Sequence, residues 1–233
     1  MKVQLISHTY DPSVTIATAG RVCYSGKPID KIMFSMSDRE TVEKQLEVIH
    51  GSCFEHANFT FSIEGVSKAC THQLVRHRLA SFSQRSQRYV KESDREVYCP
   101  QTIIDTDEAE FLYYKSIDEA FATYFSLLDL GIPKEDARYV LPEAVLSTIV
   151  VTMNARELMH FFGLRCCTRA QKEIRDVADS MLRLVKDIAP EIFGKCGPYC
   201  VQKGFCDEHK SCGRFPTRVE LLDLWKEEHG GEE

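Results

Sequence analysis

The sequence predicts an α+β fold, a mixed or antiparallel sheet covered by helices, on three observations. Short period-two runs mark half-buried strands. Apolar faces at helical spacing, opened by capping residues, mark helices. No repeat or low-complexity segment interrupts the first 193 residues, which predicts one domain over 1–194 and a separate cysteine-rich extension over 195–233.

The elements follow in order. Val3 and Leu5 alternate with Lys2 and Gln4, giving a first strand. Ser37 and Glu40 form a capping box ahead of Val42, Leu46 and Ile49, and Gly51 supplies the stop. Phe59, Phe61 and Ile63 alternate with Asn58, Thr60, Ser62 and Glu64, a cleaner strand. A long helix runs from about Asp107 to Leu130, with Tyr113, Ile117, Phe121, Tyr124 and Leu128 on one face and Gly131 after it. The β-branched run from Leu146 to Met153 is a further strand. Asn154 and Glu157 make a capping box for a helix burying Leu158, Phe161 and Phe162. Thr168 and Gln171 repeat it for a helix with Ile174, Val177, Ala178, Met181 and Val185 inward, limited by Pro190. The tail carries an amphipathic stretch around Val219, Leu222 and Trp225, and Gly230 to Glu233 reads as a disordered end.

Composition narrows the function. A chain of 233 residues, 43 % apolar, can build one substantial core. No apolar run approaches the roughly 20 residues that span a bilayer. The N-terminal residues read as a strand with no signal-peptide pattern, and ten cysteines in that context point to reduced thiols or a metal site in a cytoplasm. The net charge of −6 disfavours nonspecific nucleic-acid binding.

Against that acidic balance, residues 76–88 hold four arginines and a histidine: Arg76, His77, Arg78, Arg85 and Arg88. Clustered cations face an anion more often than scattered ones do. Ser81, Ser83, Gln84 and Ser86 between them offer hydroxyl and amide groups suited to phosphate and pyrimidine edges.

The spacing Arg76-His77-Arg78, seven residues, Ser86 resembles the signature of the flavin-dependent thymidylate synthases. Four further segments are similar to that family in the same order: His50-Gly51-Ser52-Cys53-Phe54-Glu55-His56, Ala137 to Pro142, Asn154 to Leu158, and Leu164-Arg165 leading to Ala170-Gln171 and Glu173-Ile174. The resemblance covers about residues 1–193.

It implies a homotetramer with active sites built between subunits, methylating dUMP to dTMP with methylenetetrahydrofolate as carbon donor and FAD reduced by NADPH as hydride source. It places dUMP against Gln73, Arg76, Gln84, Arg85, Ser86, Gln87, Arg88, Arg138 and Arg165. FAD falls against His50, Ser52, Glu55, Arg76, His77, Arg78, Gln84, Asn154, Arg156, His160 and Arg169. Arg165 and Ser86 inherit the catalytic positions. Ser86 has no adjacent His-Asp pair in sequence, so it reads as a phosphate or ring contact. Three positions depart from the family: Ser83-Gln84 where Asn-Glu is frequent, His160 where Asn occurs, and Arg169 where His occurs.

Other readings bear on the same residues. His50, Cys53, Glu55 and His56 fit no common zinc spacing. Cys166-Cys167 beside Arg165 is either an activated nucleophile or a pair of buried thiols. Cys196, Cys200, Cys206 and Cys212, separated by three, five and five residues, are either zinc ligands or free thiols. The alternative function is an RNA-binding module, with the arginine segment on phosphates, Phe82 and Tyr89 stacking bases, and a zinc-like tail.

Overall fold

The structure, a computed structural model, describes residues 1–228. In chain order its strands and α-helices are β1 (Lys2–His8), α1 (Pro12–Val22), α2 (Arg39–Val48), β2 (Asn58–Ser67), α3 (Lys68–Leu74) and β3 (Ala80–Gln84). There follow α4 (Gln101–Ile104), α5 (Asp107–Asp129), α6 (Lys134–Ala137), β4 (Leu146–Asn154), α7 (Ala155–Arg165), α8 (Lys172–Ile188), α9 (Pro190–Phe193), α10 (Tyr199–Lys203) and α11 (Arg218–Glu228). The four strands form one antiparallel sheet in the order β1-β2-β4-β3, so β1 and β3 are its edges. The expected α+β class is what the chain adopts.

Two compact units divide the residues: 1–2, 62–76 and 82–151 in one; 3–61, 77–81 and 152 onward in the other. The core of the first is the inner face of α5. Ile117, Phe121 and Tyr124 pack with Ala137 and Val145, flanked by Val97, Tyr113 and Leu128. Acidic residues Asp107, Glu108 and Glu110 sit in the first turn of α5, where the helix dipole favours them. Gly131, at φ +84°, takes the left-handed turn that closes it. In the second unit Phe59, Phe162 and Phe193 meet edge to face, with centroids 5.3 and 6.2 Å apart. Helix α8 buries Ile174, Val177, Ala178, Met181 and Val185, the predicted face.

Several boundaries differ from the sequence reading. The capping box is Ser35 with Asp38, two residues early, because Asp38 accepts from the Ser35 backbone N–H at 2.8 Å; Glu40 pairs instead with Lys44. Helix α2 ends on an extended Ile49, and Gly51 opens a 3₁₀ turn over Gly51–His56. Thr168 lies outside α8, whose cap position is Gln171. Helices α1, α3, α4, α6, α9 and α10 and strand β3 have no counterpart in the prediction. Helix α1 is announced by Asp11, whose carboxylate accepts from Val14 N–H, and by Pro12 at its first position. Strand β3 lies inside the arginine segment, where polar residues hide the alternation.

The amphipathic tail stretch forms α11 but buries no side chain; Trp225 is 59 % exposed. Residues 230–233, expected to be disordered, lie outside the described residues. No helix among the described residues is long and apolar enough to cross a membrane.

Candidate active site

The first unit brings together Lys68, His72, Gln84, Gln87, Arg138, Tyr139 and Glu143 around an open cleft of ≈ 480 Å³ beside the end of β3. Gln84 is held from within. Its Nε2 donates to Thr71 Oγ1 at 3.0 Å and to Ser147 Oγ at 3.3 Å. Thr71 has already committed its own proton to Lys68 O at 2.9 Å. A carboxylate at 84 would therefore meet an acceptor oxygen, which gives a physical reason for glutamine at this position.

Lys68, not anticipated from sequence, lines the same cleft. Burial lowers its pKa, with Glu92 opposing and Arg85 and Arg138 adding to the fall. Such an ammonium ion gains from an anion placed beside it. Arg138 is half-buried, with Nε donating to Glu135 O at 3.1 Å and its guanidinium 5.9 Å from the Tyr139 ring.

The remaining residues of the arginine segment do different things. Arg85 turns inward, donating from Nη2 to Glu92 at 3.0 Å and to Leu146 O at 2.6 Å, and braces the chain. Arg88 is exposed and paired with Glu135 at 2.7 Å. Ser86 Oγ accepts from the Arg88 amide at 3.3 Å, with no His–carboxylate pair on it among the described residues. Gln73 is half-buried on α3, and Arg76 is exposed.

The second unit holds the better-defined polar chain. Arg165 Nε, which can only donate, reaches His77 Nε2 at 3.1 Å. The His77 proton therefore sits on Nδ1, which donates to Glu157 Oε1 at 2.9 Å. His77 and Glu157 are both buried, with side chains 3 % and 7 % exposed. Burial lowers the His77 pKa, the Glu157 hydrogen bond opposes this, and Arg165 adds to it, so the neutral ring is favoured. The chain Glu157–His77–Arg165 thus fixes the direction of the Arg165 guanidinium.

Sequence reasoning places Glu157 in a capping box. The cap itself exists, since Asn154 Oδ1 accepts from Glu157 N–H at 2.9 Å, but the Glu157 carboxylate serves His77. His160, beside this chain, bonds Tyr199 OH at 2.5 Å. Among the described residues only His77, Glu157 and His160 bring three metal-binding atoms within 4.8 Å of one another. With the Arg165 guanidinium on the free His77 nitrogen, a cation there would face a fixed positive charge.

A third group assembles around the turn after α2. Arg156 Nη1 donates to Glu55 Oε1 at 2.5 Å, and a Cβ on Gly51 would lie 3.7 Å from Arg156 Nε. His50 Nε2 bonds Tyr24 OH at 2.7 Å, and Ser52 is exposed next to it. Arg78 is exposed without an ion pair among the described residues. The Arg156 guanidinium with the Tyr24 and Ser52 hydroxyls suits the carbonyl edge and phosphates of a dinucleotide such as FAD. Arg169 is instead engaged by the tail, donating to Lys210 O at 3.0 Å with Glu208 3.4 Å away.

The four proposed tail ligands do not form one set. Cys196 is buried with its Sγ directed to Ile192 O at 3.7 Å, away from the cavity that Cys200, Cys206 and Cys212 line. Cys166 is buried beside Asp179, and burial pushes its thiol far up, the opposite of an activated nucleophile.

The first unit thus carries a cleft lined by Lys68 and Arg138, and the second a buried chain that aims Arg165. Residues 4–191 match the family described as Thymidylate synthase complementing protein. The flavin-dependent thymidylate synthase of Geobacter sulfurreducens is 46 % identical, over 97 % of this chain and 99 % of its own. That of Pyrococcus furiosus is 44 % identical over 89 % and 90 %. Among solved structures, the UMP/dUMP methylase PolB from Streptomyces cacaoi, bound with 5-Br dUMP, superposes with a TM-score of 0.72 at 28 % identity, over 83 % of this chain and 93 % of that one. The chain belongs to the flavin-dependent thymidylate synthase family, which replaces the RNA-binding alternative. Phe82, offered there as a stacking ring, is half-buried in β3.

Proposed function

We propose that this enzyme makes dTMP from dUMP by reductive methylation, taking the carbon from methylenetetrahydrofolate and the reducing equivalents from NADPH through bound FAD. The observation that carries this reading is the Glu157–His77–Arg165 chain, which holds a permanent cation in one orientation from a buried anchor. A cation fixed in that way stabilises charge that builds on a uracil ring, without reorganising during the reaction. Lys68, Gln84, Gln87 and Arg138 offer the nucleotide its phosphate and amide contacts, with Ser86 and Arg88 at the end of the same segment. Gln73, Arg76 and Arg85 complete the substrate set that the family resemblance suggests.

His50, Ser52, Glu55, Arg78, Asn154 and Arg156 are the groups that would hold FAD, with Arg76, His77, Gln84, His160 and Arg169 the further flavin contacts proposed from the family. When bound, FAD supplies the hydride chemistry, while the protein binds, orients and excludes water. No cysteine nucleophile is required, in line with the buried Cys166 thiol. The active assembly is a homotetramer with shared sites, working in a cytoplasm that keeps the cysteines out of disulfides. Residues 1–194 act as the catalytic domain and 195–233 as an extension.

The visible absorption spectrum of purified protein tests the flavin assignment. A yellow preparation that releases FAD on denaturation is expected. A colourless protein that also fails to take up added FAD would end the flavoenzyme reading.

A further inference from the structure

We infer that Cys167, Cys200, Cys206 and Cys212 form a thiolate metal centre that staples the C-terminal extension to the connection between α7 and α8. These four side chains, from three separate stretches of sequence, line one cavity of ≈ 240 Å³ together with Arg169 and Arg214. Cys200 lies within electrostatic range of the other three sulfurs. Cys200 and Cys206 are each 9 % exposed, so a group between them is shielded, while Cys212 gives the cavity an exposed side. The set exchanges Cys196, which faces Ile192, for Cys167, which its sequence spacing could not connect to the tail.

The fold of the extension supplies the motive. From 204 to 217 only Cys206 and Thr217 are buried, and α11 after it buries nothing. What orders the stretch is a few polar ties: Cys206 N–H to Pro216 O at 2.8 Å, Gly213 N–H to Ser211 Oγ at 3.0 Å, and Arg169 to Lys210 O. Irregular segments with no apolar core are where proteins use covalent or metal cross-links. Gly204 at φ +80° and Gly213 at φ +91° turn the backbone near Cys206 and directly after Cys212, bringing both to the cavity. Arg214 offsets part of the negative charge that four thiolates keep after binding a divalent metal; Arg169, in the same lining, is already paired with Glu208.

Two centres share this donor chemistry. One zinc ion, at about 2.3 Å from each sulfur, needs sulfurs roughly 3.8 Å apart. No three of these thiols lie within 4.8 Å of one another, so zinc requires the 206–212 loop to draw inward. An iron–sulfur cluster, with several irons and sulfides between the same four ligands, accepts a wider frame.

Metal content of the full-length protein, purified both in air and without oxygen from medium containing zinc and iron, decides the matter. The expected result is about one zinc per chain, or iron with matching acid-labile sulfide, falling at least fivefold in Cys212→Ser and Cys206→Ser and unchanged in Cys196→Ser. Cys212 is exposed, so its substitution leaves packing intact. On the unsubstituted protein, metal released by a mercurial should appear in step with alkylation of these four cysteines, read by peptide mass spectrometry. Metal below about 0.1 per chain in every preparation overturns the inference. So does metal retained by Cys212→Ser but lost from His160→Ala, which would move the site to the histidine trio.

Discussion

At Arg165, hydrogen-bond direction decides how the side chain is held. Its Nε can only donate, which sets the His77 tautomer and makes Glu157 the anchor of the chain. Glu157→Gln keeps the size and loses the charge. It should lower kcat/KM for dUMP by roughly 10- to 100-fold through misdirection of Arg165. Because Glu157 raises the His77 pKa against the burial that lowers it, the same variant should move the acid limb of the pH profile to lower pH. An unshifted limb would mean that His77 does not govern it. The sign for stability follows. His77 titrates in the folded protein below its ordinary 6.5, so the unfolded chain takes up the proton first as pH falls. The contribution is present above about 6.5 and is lost as pH falls through the folded value. For substrate contacts, Arg88→Ala and Arg165→Ala should each weaken dUMP binding far more than FAD binding, by about 1.5–3 kcal/mol or one to two decades. Equal losses for both ligands, by equilibrium titration, would show that these arginines hold the fold instead.

Between elements, the contact of α10 with α7 is set by Gly163. A Cβ there would lie 2.6 Å from Tyr199 Cε1, so the ring that bonds His160 would have to move. Gly163→Ala should cost about 1–3 kcal/mol by overpacking, even though alanine is the better helix former. Denaturant unfolding at matched m-value checks it; a stabilised variant would contradict the packing account. The elements legible in the sequence are those whose own side chains repeat the period, such as Phe59-Phe61-Ile63 and the α8 face. Strand β3 was hidden because Ala80-Ser81-Phe82-Ser83-Gln84 at a sheet edge has little apolar alternation to display. The Ser37 cap failed against a competing Ser35–Asp38 pair only two residues away. In the site, the family motifs located Arg165 and His77, yet Lys68 and Tyr199 carry no local pattern. Their roles exist only where tertiary packing brings them, one to the 84–138 cleft and the other to His160.

For the whole molecule, the proposed reaction would require three ligands to be enclosed by a chain that also has to cover its sheet with helices. Subunit contacts would offer the additional surface, and the resemblance supplies the number four. Light scattering on dilute protein, with activity followed at the same concentrations, should show a tetramer whose dissociation abolishes turnover; a fully active monomer would refute shared sites. The reaction itself stands above the assembly. Its most direct measurement is dTMP formation by the purified, FAD-loaded protein given dUMP, methylenetetrahydrofolate and NADPH, with one component omitted in turn. The account predicts dTMP only in the complete mixture, persisting in the Cys166→Ala, Cys167→Ala double variant if that variant still folds. dTMP formed equally well after FAD is stripped, or no dTMP from a folded enzyme that binds both FAD and dUMP, would contradict it.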